Sequence, residues 1–348
     1  MTFSFLSSLS TPTFGSRRRL QVFVLCLVCA ASAGQAAEKQ LQRTLPLLAK
    51  SAVTYTKKRK CFSCHHQALT TMALVTAKQK GHKIDQSAVD TQAKFTHGYF
   101  SRRRQSVAGG KGVPGGAYTT GYALVALSLG KQPADQTTDA MVSYLYQLQK
   151  PDGSWRIRTH RPPLEDSDFT ATALSIRGVK LYARNDHKKE LTKRIIRARK
   201  WLVDAGGKAK THEDQAFRLF GLLWSGAGSK EIAVAARAIL KSQQEDGGWK
   251  QLAKSKSTDA YATGQAVVSL VQAGKIPASD KRIQKALAYL KNTQRKDGSW
   301  LVKSRSKPFQ TQFNSNFPHG KNQWISISGT CWATMALLQG EKNTSTKR

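Results

Sequence analysis

The chain has 348 residues, 40% of them hydrophobic, with 56 Lys and Arg against 21 Asp and Glu, a net charge of +35. Such a charge attracts polyanions in general. The cations are dispersed, however, as in Lys57-Lys58-Arg59-Lys60, Arg102-Arg103-Arg104 and the stretch from Lys188 to Lys200, and no nucleic-acid motif interleaves them. Specific nucleic-acid recognition is therefore set aside, leaving an acidic redox partner or an anionic glycan or lipid surface as the expected partners.

At the N-terminus, Arg17-Arg18-Arg19 precede an apolar run from Leu20 to Ala33 and small residues up to Ala37. A basic start, a short apolar core and an Ala-rich end make an export signal, and the run is short for a membrane span. Residues 1–37 are expected to be cleaved and the mature protein to be periplasmic or extracellular. Cys61, Cys64 and Cys331 then remain, an odd number that does not suit a disulfide framework.

From residue 38 to 342 two kinds of segment alternate. Amphipathic, Lys/Arg-rich segments fall at about 41–58, 87–104, 137–149, 188–204, 230–244 and 280–294. Each is followed by a segment apolar on more than one face: Gln67–Lys80, Ala117–Leu129, Asp168–Leu181, Ala216–Gly226, Ala260–Gln272 and Ser328–Gln339. The first kind suits an outer helix and the second a buried inner helix. The expectation is an all-α domain of six outer–inner helical hairpins, with an insertion at 301–327 and a disordered tail at 343–348.

Several residues along this course carry possible chemistry. Cys61-Phe-Ser-Cys64-His65 is the c-type haem attachment pattern, in which two thiols add to the haem vinyl groups and the adjacent His65 binds iron. A Cys61–Cys64 redox disulfide, or zinc held by Cys61, Cys64 and a histidine, would use the same residues. Asp166 and Asp168 open the third inner segment, where carboxylates also serve as helix caps. Inside the insertion, Phe313, Phe317-Pro318-His319-Gly320 and Trp324 suit an ordered flap. His319 in that flap is the expected second approach to the haem iron. Gln-x-x-Asp-Gly-(Ser/Gly)-Trp occurs three times, at Gln149–Trp155, Gln243–Trp249 and Gln294–Trp300. Asp-Gly makes a tight turn, and each Trp is expected to fold back into a buried, equivalent corner.

The repeated aromatic-Leu-x-x-x-Gln-x-x-x-Gly-x-Trp string resembles the QW repeat of squalene-hopene cyclases and their relatives, which include protein prenyltransferase β subunits. The resemblance implies a single α/α toroid, closed by six hairpins. Glu165-Asp166-Ser167-Asp168-Phe169-Thr170-Ala171 is similar to the acidic motif of class II terpene cyclases. By that match Asp168 is the proton donor and Asp166 its support, although Phe169 replaces a third carboxylate and triterpene cyclases use two toroids. The prenyltransferase zinc pattern is not reproduced, since Tyr261 stands two residues after Asp259 and no histidine follows Cys331. Toroid repeats combined with Cys-x-x-Cys-His resemble a group of exported bacterial squalene-cyclase-like proteins. The leading functional expectation is thus a haem c protein for electron transfer or haem redox chemistry. The alternatives are an isoprenoid-active enzyme using Asp168 as acid, and a binding scaffold bearing zinc or a disulfide.

Overall fold

The computed structural model describes residues 40–308, 311 and 313–341. The expected signal (1–37) and tail (343–348) lie outside them. Among the described residues the structure is helical, with two isolated β-bridges and no strand. Six outer helices alternate with six inner ones. The outer set is α1 (40–58), α3 (Gln86–Ser101), α6 (Gln136–Leu148), α8 (Lys188–Asp204), α10 (Ser229–Lys241) and α12 (Lys281–Thr293). The inner set is α2 (Leu69–Gln79), α5 (Gly116–Leu129), α7 (Asp168–Tyr182), α9 (His212–Ser225), α11 (Ala260–Gln272) and α13 (Gln323–Gln339), and a short α4 (Arg104–Ala108) joins α3 to α5. Each inner helix packs on the next, and α13 returns to pack on α2, so the ring closes. This is the expected α/α toroid.

The inner helices are buried almost all round, as their composition requires. In α5, eleven residues from Gly116 to Leu127 are buried, and in α13 every residue from Ile325 to Leu338 is. Their close approach depends on small residues: a Cβ on Gly264 of α11 would stand 2.5 Å from the Trp332 carbonyl carbon of α13.

The three Gln-to-Trp units form one repeated joint. Trp155, Trp249 and Trp300 are buried, and their indole N–H groups donate to the carbonyls of Leu145, Ile239 and Leu290, ten residues back in each case. Their backbone N–H groups donate to Thr172, Thr263 and Thr330 on the inner helix that follows. The glutamine Nε2 donates to the carbonyl of its own turn glycine (Gly153, Gly247 or Gly298) and also reaches the next outer helix: Gln149 to Arg194 O, Gln243 to Arg282 O, Gln294 to Thr44 Oγ1. One joint therefore ties a turn to its own outer helix, its inner helix and the neighbouring hairpin. The third copy makes the seam between the last outer helix and α1, where Thr44 also donates to Gly298 O at 2.7 Å. Gly298 has φ +86° and lies against the backbone of Arg43 and Thr44, so glycine is required there both by conformation and by space.

Two inner helices start earlier than their apolar runs suggest, α9 at His212 and α13 at Gln323. In α9 the added turn carries His212 and Glu213 into the interior, whereas in α13 it carries Gln323, which bonds to Ser315 and the Phe313 carbonyl of the insertion.

Candidate functional site

Long segments precede three of the inner helices, 149–167 before α7, 242–259 before α11 and the described part of 294–322 before α13, and a polar cluster is built at the starts of α7, α9 and α11. Its key residue is placed by the start of α9. Thr211 and Asp214 form a reciprocal cap, Thr211 Oγ1 accepting the Asp214 N–H at 3.1 Å and Asp214 accepting the Thr211 N–H at 2.9 Å. This cap turns the two residues between, His212 and Glu213, into the interior, where they are 5% and 3% exposed. Asp214 itself lies in the first turn of α9.

Glu213 is held from both sides. Thr170 on α7 donates to Oε1 at 2.9 Å; Tyr261 and Gln265 on α11 donate to Oε2, each at 2.8 Å. Three donors favour the carboxylate, but loss of hydration outweighs them, and burial pushes the Glu213 carboxyl up from 4.5 to about 8. At neutral pH it holds its proton. Tyr122 and Tyr261 have their phenols raised by burial first and then by the nearby Glu213 charge; Tyr118 is raised by burial and then by Cys64. The Tyr122 hydroxyl, Gln265 Oε1 and His212 Nε2 are buried without a hydrogen-bond partner. Burial lowers the His212 imidazole to about 4, so it is neutral. Aromatic rings floor the centre: Tyr122 of α5 meets Phe217 of α9, which meets Trp332 of α13, with centroids 6.4 and 6.2 Å apart.

The loops are fastened over this centre by Gln251. Its carbonyl accepts the His212 N–H, its amide donates to Asp259, and its Oε1 accepts from Arg305 of the insertion. Burial also raises the Asp259 carboxyl, to about 6. Asp259 is the cap of α11, accepting the Ala262 N–H.

The acidic pair expected from the sequence lies at the rim. Asp168 accepts from Arg156 and from the Ile157 N–H, both at 2.8 Å, which pins the 156–168 loop to the start of α7. Asp166 contacts His160 at 2.5 Å, and burial raises its carboxyl. Ser167, between them, is the helix cap, accepting the Thr170 N–H. Glu213 was missed because it lies three residues before Ala216, the start expected for its apolar run. The Thr211-x-x-Asp214 cap is the signal that would have revealed it.

The expected haem site is not built. Cys61 lies exposed in the loop and contacts the Tyr55 hydroxyl at 3.2 Å, whereas Cys64 is buried at the start of a π-turn (Cys64–Ala68) and accepts from Tyr118. The two thiols therefore do not share one face of a helix. His65 is enclosed by Tyr55, His66 and Trp324, and its Nδ1 is engaged with His66 Nδ1 at 2.5 Å. His319 belongs to another neighbourhood, bonded to Ser299 at 2.8 Å and packed on Phe317. Among the described residues no group of three or more His, Cys, Asp or Glu side chains could hold a metal ion. The donor set fits neither haem nor zinc. The haem or zinc cofactor and the electron-transfer function that depended on it are not supported by these residues. The insertion that carries His319 packs instead on the first hairpin, through Phe313 on Tyr55 and Ser315 on Ser51.

This arrangement predicts the thiol chemistry. Burial pushes Cys64 and Cys331 up to about 12. Brief alkylation of native protein followed by peptide mapping should label Cys61 and leave Cys64 and Cys331 unmodified; equal labelling of all three would refute the placement.

A family model described as the prenyltransferase alpha-alpha toroid domain matches residues 35–217, more than half of the chain. The chain belongs to the prenyltransferase α/α-toroid family. Residues 213–348, overlapping the first match by five residues, match a model described as the squalene-hopene cyclase C-terminal domain. No curated protein sequence matches it. Among solved structures, a protein from Actinoplanes is 14% identical, with a TM-score of 0.52 over 85% of this chain and 99% of that one. The ent-copalyl diphosphate synthase from Streptomyces platensis is also 14% identical, with a TM-score of 0.51 over 80% of this chain and 50% of the synthase. A glycosidase variant in complex with glucose gives 14% and 0.52 over 86% and 96%. At these identities the likeness is one of fold.

Proposed function

We propose that the toroid is an isoprenoid-active enzyme of the cyclase type, using acid catalysis, with Glu213 as the acid. The observation that carries this reading is a carboxyl group at the polar centre of the ring, buried and ringed by three donors from two other inner helices. A proton donor must be protonated in its resting state, and its conjugate base must be stabilised as the proton leaves. Burial supplies the first condition, and Thr170, Tyr261 and Gln265 supply the second. The ring of Tyr118, Tyr122, Phe217 and Trp332 supplies an apolar surface whose π faces favour developing positive charge on carbon. The family match supports the substrate class. Asp168 does not take this role, because both its oxygens are committed to Arg156 and Ile157 at the rim. A single toroid suits an isoprenoid shorter than squalene.

The test is product analysis. Purified protein is incubated with prenyl alcohols, terminal epoxides and diphosphates of ten to twenty carbons, and with squalene and oxidosqualene. Conversion of one of the shorter substrates, retained in Asp168→Asn and lost in Glu213→Gln, is the expected result. Conversion that depends on Asp168 and not on Glu213 would overturn the assignment.

A further inference from the structure

Outer helices of a closed ring need only their inward stripe to be apolar. Among the described residues three large apolar side chains are exposed, and all three lie on two outer helices: Ile196 (50% exposed) and Val203 (38%) on α8, and Val234 (47%) on α10. Ile196 and Val203 are seven residues apart, two turns along one face. The same stripe of α8 carries Lys189, Lys193 and Lys200, all exposed. On α10 the exposed stripe reads Lys230, Val234, Arg237, Lys241. The two helices border one surface groove of about 320 Å³, lined by Ile196, Arg199 and Val203 from α8 and by Ala227 and Glu231 at the start of α10. The acidic residues nearby are Asp204, paired with Lys200, Glu190, paired with Arg194, and Glu231 at the groove; the lysines and arginines of the two stripes and Arg199 outnumber them.

We propose that the outward faces of α8 and α10 form a docking surface for an anionic phospholipid bilayer. Isolated aliphatic side chains, each flanked by cations one turn away, match a membrane interface. The aliphatic groups enter the boundary between headgroups and acyl chains, and the lysines and arginines meet the phosphates. A partner protein helix would need a continuous apolar stripe, and none is present. A soluble polyanion would use the cations and leave Ile196, Val203 and Val234 without purpose. No described helix is long and apolar enough to cross a membrane, so the contact is superficial. The proposal stands independently of the chemistry assigned to Glu213.

The experiment is co-sedimentation of the full chain with vesicles of phosphatidylcholine alone and of phosphatidylcholine with phosphatidylglycerol, beside a heparin-binding measurement. The wild type is expected to partition to the anionic vesicles and not to the neutral ones, with partitioning reduced by salt. Ile196→Ser with Val234→Ser should lower vesicle partitioning about tenfold and leave heparin affinity unchanged. Lys193→Ser with Lys200→Ser should lower both, each by about tenfold. All four positions are exposed, and circular dichroism verifies that the variants fold. Vesicle partitioning unaffected by the aliphatic pair, or equal partitioning to neutral vesicles, would overturn the proposal. Heparin binding without vesicle binding would likewise overturn it, in favour of a polyanion surface.

Discussion

Glu213→Gln is expected to lower turnover by about 100-fold or more, the usual contribution of a positioned general acid. Glutamine keeps the shape of the side chain and can still meet Thr170, Tyr261 and Gln265, but it has no proton to give. In the wild type, activity should hold up to about pH 8, where burial has placed the Glu213 carboxyl, and fall above it as the proton is lost. Asp168→Asn should leave this pH profile in place, because Asp168 acts on Arg156 and the loop. A pH–rate profile of the two variants measures the difference.

The same residue makes stability depend on pH. The folded-state value of Glu213, about 8, lies above its ordinary 4.5. Between those values the unfolded chain has released the proton and the folded chain retains it. Stability from this group is therefore full below pH 4.5 and declines as pH rises towards 8. His212, lowered to about 4, and His65, lowered to about 3, act in the opposite sense. They stay neutral in the fold while the unfolded chain takes up protons below 6.5, so their contribution is lost on acidification. The melting temperature should be highest near pH 6.5. From there to pH 8 the fall should amount to about 2 kcal/mol, and Glu213→Gln should abolish it.

Trp300→Ala is expected to destabilise the toroid by about 3–5 kcal/mol, the range for removing a buried aromatic ring. It also strips the Leu290 carbonyl of its indole donor. Trp155→Ala removes an equivalent ring from the wall, but Trp300 stands at the seam, where Gln294 and Gly298 hold α1. Calorimetry should show a similar drop in melting temperature for both, about 10 °C. Limited proteolysis should separate them, with cleavage between α1 and α2 accelerated only in Trp300→Ala. Equal protease resistance would contradict the seam.

The ring was legible because its signals are local and repeated. Gln, Asp-Gly and Trp occur at one spacing, and the apolar runs of inner helices differ plainly from the striped outer ones. The candidate site was less legible because it is assembled by closure. Thr170, Glu213, Tyr261 and Gln265 come from three inner helices, and no spacing in the chain relates them. Glu213 and His212 stand in the polar stretch ahead of Ala216, which moved the expected start of α9 past them. Asp166 and Asp168 were visible, but a linear motif cannot show that Arg156 folds back on the second. Cys61-x-x-Cys64-His65 misled for a similar reason: the motif pairs two thiols that the fold separates, Cys61 exposed in a loop and Cys64 buried at the start of a π-turn.

The most direct measurement is infrared difference spectroscopy of the buried carboxyl. Wild-type protein at pH 7 should show a protonated carboxyl stretch that disappears as pH is raised through about 8 and is missing from Glu213→Gln. Absence of that band in the wild type, or its persistence in Glu213→Gln, would contradict the assignment of Glu213 as the resident acid of the ring.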